Sequence, residues 1–191
     1  CCCKRLLWAA RAAWEKAICK ELGKTSVIVL AGRNLAKMEA AKAELDELGV
    51  ESYLCKTDIA DRAQVQALAE FAASLGDVTQ VIHTSGVLPS DTATENIIKI
   101  NAAGTVNMVE AFYPALTDGG VIINFSSVAA YTMPQTDEWT QAFEIWYRPD
   151  FFGRMLALAG EAEDEEGEFF RAGLAYAMSK KFVIYFTQKN V

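Results

Sequence analysis

Short apolar runs alternate along this chain with longer stretches in which apolar residues recur every three or four positions. Residues 26–31 (SVIVLA) form an unbroken, β-branched run, the signature of a strand buried on both faces. Leu35, Met38, Leu45 and Leu48 then predict one helical face, stopped by Gly49. A brief strand is expected at 52–55. Asp61, with Gln64 three residues on, predicts a capped helix start, and Val65, Leu68, Ala72 and Leu75 its inward face as far as Gly76. Another strand is expected at 79–83, mainly helix over 92–116, and a further buried strand at 121–125 (VIINF) after Gly119 and Gly120. The last helix is expected from about Ala175 to Lys189.

Strand, helix, strand, helix at this spacing means βαβ units, with right-handed crossovers and a parallel sheet covered on both faces. The expected fold is therefore a doubly wound α/β domain, a single one at 191 residues. In such sheets ligands bind beyond the carboxyl ends of the strands, so chemistry is expected just after Leu30, Cys55, Ile82 and Phe125. One segment, 131–173, breaks the rhythm; it is rich in aromatic residues and reads as an insertion, either a packed subdomain or a lid over substrate.

Composition changes this picture little. Hydrophobic residues make up 52% of the chain, which is enough for a packed core. The net charge of −7 is local: without the six acids of residues 161–168 (EAEDEEGE) the balance is 18 basic to 19 acidic groups, so the acidity is assigned to one solvated loop. No basic stripe suggests nucleic acid, and no apolar run is long enough to span a bilayer. Of the five cysteines, Cys19 and Cys55 sit in apolar patterns typical of buried free thiols, which points to a reducing, cytoplasmic setting.

Tyr176 and Lys180 lie four apart in a helical context, which stacks them on one face. An ammonium beside a phenol favours the phenolate, so such a pair can exchange a proton near neutral pH. By itself this spacing is common on solvated helix faces. Its company gives it weight: Ser126 and Ser127 follow a buried strand, Asn101 sits inside a helix it favours poorly, His83 to Gly86 (HTSG) closes another strand, and Asp58 follows a third. Each has a plainer reading, as turn, exposed helix residue or cap; their ordered occurrence at strand ends favours chemistry.

With these residues in view, the chain resembles a classical short-chain dehydrogenase/reductase from about residue 16 onward. "YAMSK" is similar to the family's YxxxK motif, "INFSSVAA" to its serine strand, "INAAG" to its asparagine helix and "HTSG" to its NNAG motif. The resemblance implies a Rossmann-like fold and NAD(P)-dependent oxidoreduction of a small-molecule carbonyl or alcohol. It implies Tyr176 as general acid/base, and Lys180 as the residue that lowers its pKa and binds the nicotinamide ribose. It further implies Ser127, rather than Ser126, on the substrate oxygen, and Asn101 in a water relay. Asp58 and Ile59 would flank the adenine, with His83, Thr84, Ser85 and Gly86 against the cofactor. After the second strand stands Arg33 and no acid, which favours NADP over NAD. A homo-oligomer, dimer or tetramer, is expected on the same resemblance.

Three departures stand out. The glycines of the family's phosphate loop fall on Ala9, Ala13 and Glu15, which would crowd or repel a pyrophosphate, and residues 6–8 make a poor first strand. One codon choice for residues 8–16 (TGG GCG GCG CGG GCG GCA TGG GAA AAG) spells Gly-Gly-Ala-Gly-Gly-Met-Gly-Lys two bases on. A frame error is therefore an expectation that the gene's nucleotide sequence tests. Ser127 and Tyr176 are 49 positions apart, far more than usual, as in a subset similar to bacterial 3α-hydroxysteroid dehydrogenase. The chain stops soon after the tyrosine helix, so a fragment incomplete at both ends is expected. Two rival readings remain: a non-enzymatic Rossmann-like module, and an extended-branch sugar-nucleotide epimerase with the same Tyr–Lys pair.

Overall fold

A computed structural model describes residues 4–8, 13–160 and 165–190. They form two compact units, Cys1–Ser85 with Asn107–Asn124, and Gly86–Val106 with Phe125–Val191.

The first unit is built on five parallel strands: β1 (Lys4–Trp8), β2 (Val27–Gly32), β3 (Ser52–Lys56), β4 (Val78–His83) and β5 (Leu116–Asn124). Their order is β3-β2-β1-β4-β5. The chain crosses over after β1, β2 and β3 through α1 (Ala13–Gly23), α2 (Leu35–Glu47) and α3 (Arg62–Leu75). This is the Rossmann-like α/β arrangement expected from the alternation. β2 is buried throughout, as an unbroken apolar run in a central strand should be.

Local chemistry sets the helix ends. Asp61 accepts from Ala63 N at 2.9 Å and Gln64 N at 3.1 Å, while Gln64 Nε2 donates to Asp61 Oδ2 at 2.8 Å, so the predicted cap exists. At the end of α2, Gly49 has φ +70°, Gly49 N donates to Asp46 O and Val50 N to Leu45 O. That is a Schellman closure, which a left-handed glycine permits without strain.

Three expectations for this unit are corrected. Leu35 and Leu48 are exposed, and α2 buries only Met38 and Leu45. At about 100° per residue Met38 and Leu45 nearly superpose, whereas Leu35 and Leu48 fall roughly 60° to either side. The strand predicted at 121–125 begins at Leu116 and is not buried: Val121 and Ile123 are each 44% exposed. It is the last strand of the sheet among the described residues, and edge strands keep one side open. Residues 6–8 do form a strand, because β1 pairs with β2 in continuous register and with β4 across one register shift between Lys4 and Leu6. Two flanking ladders supply what its own composition does not advertise.

The second unit is helical. It holds α4 (Thr94–Ile98), a π-helical turn (Lys99–Ala103) and the start of α5 (Gly104–Phe112); α5 belongs to the first unit from Asn107. Then come a 3-10 turn (Val128–Tyr131), α6 (Asp137–Glu144), α7 (Phe151–Leu158) and the 25-residue α8 (Glu165–Lys189). The aromatic segment is a packed layer. Phe143 lies 5.4 Å from Phe182 and 5.6 Å from Tyr185, Phe151 lies 4.9 Å from Phe182, and Trp146 lies 5.0 Å from Phe186. No helix among the described residues is long and apolar enough to cross a membrane.

Helix α8 starts ten residues earlier than the sequence predicts, so Glu165, Glu166 and Glu168 of the acidic run are helical rather than part of a loop; residues 161–164 lie outside the described residues. Acids in a first turn oppose the positive end of the helix dipole. Glu168 also reaches another helix, accepting from Thr94 Oγ1 at 2.9 Å and Thr94 N at 3.3 Å at the start of α4. The Thr94 hydroxyl, its N–H and the weaker pull of Arg171 hold this carboxyl below its ordinary range. A lowered folded pKa means that the contact stabilises above the unfolded carboxylate pKa of about 4.3 and is lost as pH falls through the folded value. Glu168→Gln should therefore lose about 0.5–1 kcal/mol at pH 7, an exposed cap's worth, and nothing below pH 3. Paired urea unfolding curves at the two pH values check this; a gap that persists at pH 3 would rule out the charged contact.

Candidate active site

The catalytic candidates all fall in the second unit. Tyr176 and Lys180 share the middle of α8, as their spacing predicts; Tyr176 is half-buried and Lys180 only 6% exposed. The Lys180 ammonium stands 6.0 Å from the Tyr176 ring centroid. Burial pushes the lysine down to about 8, because desolvation penalises its charged form. Its Nζ donates to Phe125 O at 3.0 Å, the one acceptor it has among the described residues, so two of its three ammonium protons stay available.

The residues after β5 make different contacts. Ser126 Oγ donates to Lys180 O at 2.6 Å, so its proton is committed to the α8 backbone. Ser127 Oγ instead accepts from Ala129 N at 3.2 Å and caps the 3-10 turn, leaving its own proton without an acceptor among the described residues. Phe125 and Ser126 thus fasten Lys180 at its two ends, and Ser127 keeps a donor free.

Asn101 is not the exposed helix residue of the plainer reading: it is 1% exposed and lies within the π-helical turn. Its Oδ1 accepts from Val87 N at 2.8 Å, and its Nδ2 donates to Val87 O at 3.1 Å and Ser179 Oγ at 3.3 Å. Such wide turns are uncommon and recur at functional sites. Gly86 is brought to the same cluster. A Cβ there would stand 3.1 Å from Lys180 Nζ and 3.2 Å from Asn101 Oδ1, closer than side-chain carbons normally pack.

The other cofactor candidates belong to the first unit. Arg33 directly follows β2, is exposed, and makes no ion pair among the described residues. Asp58 follows β3; its Oδ1 accepts from Ala60 N at 3.0 Å and its N–H donates to Gln64 Oε1 at 2.9 Å, so Asp61, not Asp58, is the helix cap. Ile59 is buried and its carbonyl accepts from Asn107 Nδ2 at 2.8 Å. His83 ends β4 and is buried, Thr84 is half-buried, and Ser85 Oγ is buried without a hydrogen-bond partner among the described residues. Ala9 lies outside the described residues; Ala13 and Glu15 fall in α1.

Sequence reasoning missed Ser179, which lies between the Tyr176 carbonyl and Asn101, and the backbone partners Val87 and Phe125. The first left a weak signal, a small polar residue on the Tyr–Lys face. Backbone acceptors leave none.

A family model described as short chain dehydrogenase matches residues 11–138. The chain belongs to this family. The match includes Arg33, Asp58, Gly86, Asn101 and Ser127 and ends before Tyr176. Among curated proteins the chain is similar to the short-chain dehydrogenase/reductase bsc3 of Alternaria brassicicola, 28% identical over 120 residues, which cover 63% of this chain and 44% of that one. It therefore spans less than half the length of that relative. Among solved structures it is similar to an alcohol dehydrogenase from Thermococcus sibiricus in complex with 5-hydroxy-NADP, with a TM-score of 0.68 at 15% identity over 98% of this chain and 69% of that one. A short-chain dehydrogenase/reductase from Burkholderia phymatum in complex with NAD gives 0.69 at 19% identity, over 98% of this chain and 59% of that one. Such distant likenesses establish the fold; the family rests on the model match.

Proposed function

We propose that the chain is the cofactor-binding and proton-transfer portion of an NADP-dependent oxidoreductase acting on a small-molecule ketone or secondary alcohol. The observation that carries this reading is the buried Lys180 ammonium, with one acceptor among the described residues, on the same helix face as half-buried Tyr176.

The residues around Lys180 fit the ribose of a nicotinamide nucleotide, whereas Ala9, Ala13 and Glu15 would crowd or repel its pyrophosphate. Two uncommitted Lys180 protons suit the hydroxyls of a ribose, and the unpartnered Ser85 Oγ suits a polar ligand atom. Bound, that group would supply or accept the hydride. Tyr176 would give its phenolic proton to a forming alkoxide, or take one from an alcohol, with the Lys180 ammonium 6.0 Å from its ring. Ser127 would donate its free proton to the substrate oxygen and hold it still. Asn101 has both amide protons and Oδ1 engaged, and its main-chain oxygen already accepts from Thr105 Oγ1 at 2.8 Å, so a water would have to use that oxygen's second lone pair. Asp58 and Ile59 would flank the adenine, and His83, Thr84 and Gly86 the remaining cofactor surface. The 49-position interval between Ser127 and Tyr176 supports placing the chain near the hydroxysteroid dehydrogenase-like subset. A homo-oligomer, as dimer or tetramer, is part of the same proposal.

Cofactor choice is testable at Arg33. NADPH should bind more tightly than NADH, followed by nicotinamide fluorescence. Arg33→Ala should weaken NADPH about tenfold, one charge-assisted contact, and leave NADH unchanged. Equal losses for both would remove the 2′-phosphate role. If neither nucleotide binds even with Ala9→Gly, Ala13→Gly and Glu15→Gly combined, the non-enzymatic module is the better reading.

A further inference from the structure

Ser179 is fully buried, and its hydroxyl is committed on both sides. It donates to Tyr176 O at 2.9 Å, one turn back on α8, and accepts from Asn101 Nδ2 at 3.3 Å. A serine hydroxyl has one proton, so with that proton on Tyr176 O its oxygen must accept from Asn101. The bond to Tyr176 O is the ordinary back-bond of a helical serine. The bond to Asn101 is not: it joins α8 to a residue 78 positions earlier in the chain.

Asn101 has no slack. Val87 N–H requires an oxygen opposite it, so Oδ1 faces Val87 N, and Nδ2 has Val87 O and Ser179 Oγ as its two acceptors. Removing the Ser179 oxygen leaves one amide proton buried and unpaired, which favours rotation of the amide and loss of its grip on Val87. The neighbouring residue is Gly86, whose absent side chain is what lets the backbone lie against Lys180 Nζ and Asn101 Oδ1.

We propose that Ser179 is a positioning residue: its hydroxyl fixes the Asn101 amide and, through it, holds the backbone of Gly86 and Val87 against the Lys180 ammonium. The catalytic meaning of this brace rests on the function proposed above; the brace itself does not.

The test compares Ser179→Ala and Ser179→Cys with the unaltered chain by nuclear magnetic resonance. Two quantities are followed: hydrogen exchange of the Val87 amide, and the pH titration of the Lys180 side-chain resonances. The alanine variant should exchange Val87 at least ten times faster. Its Lys180 midpoint should rise from about 8 toward that of an ordinary lysine as solvent gains access. Cysteine, which keeps a weak donor and acceptor, should restore part of both. Wild-type exchange and an unmoved midpoint in both variants would overturn the proposal, whatever happens to the melting temperature. So would a rise in Val87 exchange matched by the amides throughout α8, which marks general loosening. Should the alanine variant not fold, the cysteine variant decides by the same two readouts. Failure of the functional reading is a separate event: Tyr176→Phe with full turnover would sink it without touching Val87.

Discussion

Tyr176→Phe in the intact enzyme should cut turnover by about 10²–10⁴-fold while leaving nicotinamide binding within a factor of two. The change removes one oxygen and keeps the ring. Lys180 stands 6.0 Å from that ring and takes its hydrogen-bond acceptor from Phe125, so the ammonium should stay where it is. What disappears, on the proposed function, is the proton that Tyr176 would give to the substrate oxygen. Ser127 can still hold the substrate through its free proton, so KM should change less than kcat. Lys180→Met is the contrast: it removes the cation and, on the proposed function, the donors to the ribose together, and should weaken binding as well as turnover. Single-turnover hydride transfer, followed at 340 nm by the usual nicotinamide absorbance, separates the two variants. Turnover of Tyr176→Phe within threefold of wild type would end its assignment as the proton carrier.

The parts of this fold legible in the sequence were those set by local chemistry. The run from Val27 to Ala31 could only be a buried strand, Asp61 with Gln64 capped the helix it was expected to cap, and Gly49 closed α2 because a left-handed residue was needed there. The sequence offered the candidates as an ordered set after strand ends, and the structure brings Gly86, Asn101 and Lys180 to one cluster in the second unit. The misses share a different cause. Leu35 and Leu48 look as apolar as Met38 and Leu45, but only position relative to the rest of the unit decides which are covered. The strand at Lys4–Trp8 exists through its neighbours' ladders. The early start of α8 was hidden by acids that read as loop in isolation and as a helix N-terminus in place. Partners that are backbone atoms or distant in sequence, such as Val87 for Asn101 and Thr94 for Glu168, have no sequence signal to find.

The same distinction decides what the aromatic segment does. Phe143→Ala should cost about 3–5 kcal/mol of stability, the usual loss for a large buried aromatic. Phe143 is fully buried, and its ring meets Phe182 edge-on at 5.4 Å, Tyr185 at 5.6 Å and Trp139 at 6.5 Å, contacts that relaxation cannot replace around a hole of that size. Against a total of about 5–15 kcal/mol for an ordinary domain the loss is large, and it should lower the melting temperature by roughly 10 °C. Tyr147, 68% exposed in the same segment, makes the control: Tyr147→Ala should shift the midpoint by no more than about 0.5 kcal/mol. A lid would behave the other way. It would tolerate Phe143→Ala in urea or heat and answer in KM, because a segment that opens cannot also supply the core against which α8 packs. Phe182 and Phe186, which stack on each other at 5.5 Å on that helix, stand two and six residues beyond Lys180. A hole at Phe143 thus opens against the stretch of α8 that begins just beyond Tyr176 and Lys180. Equal and small stability losses for Phe143→Ala and Tyr147→Ala would return the segment to the lid reading.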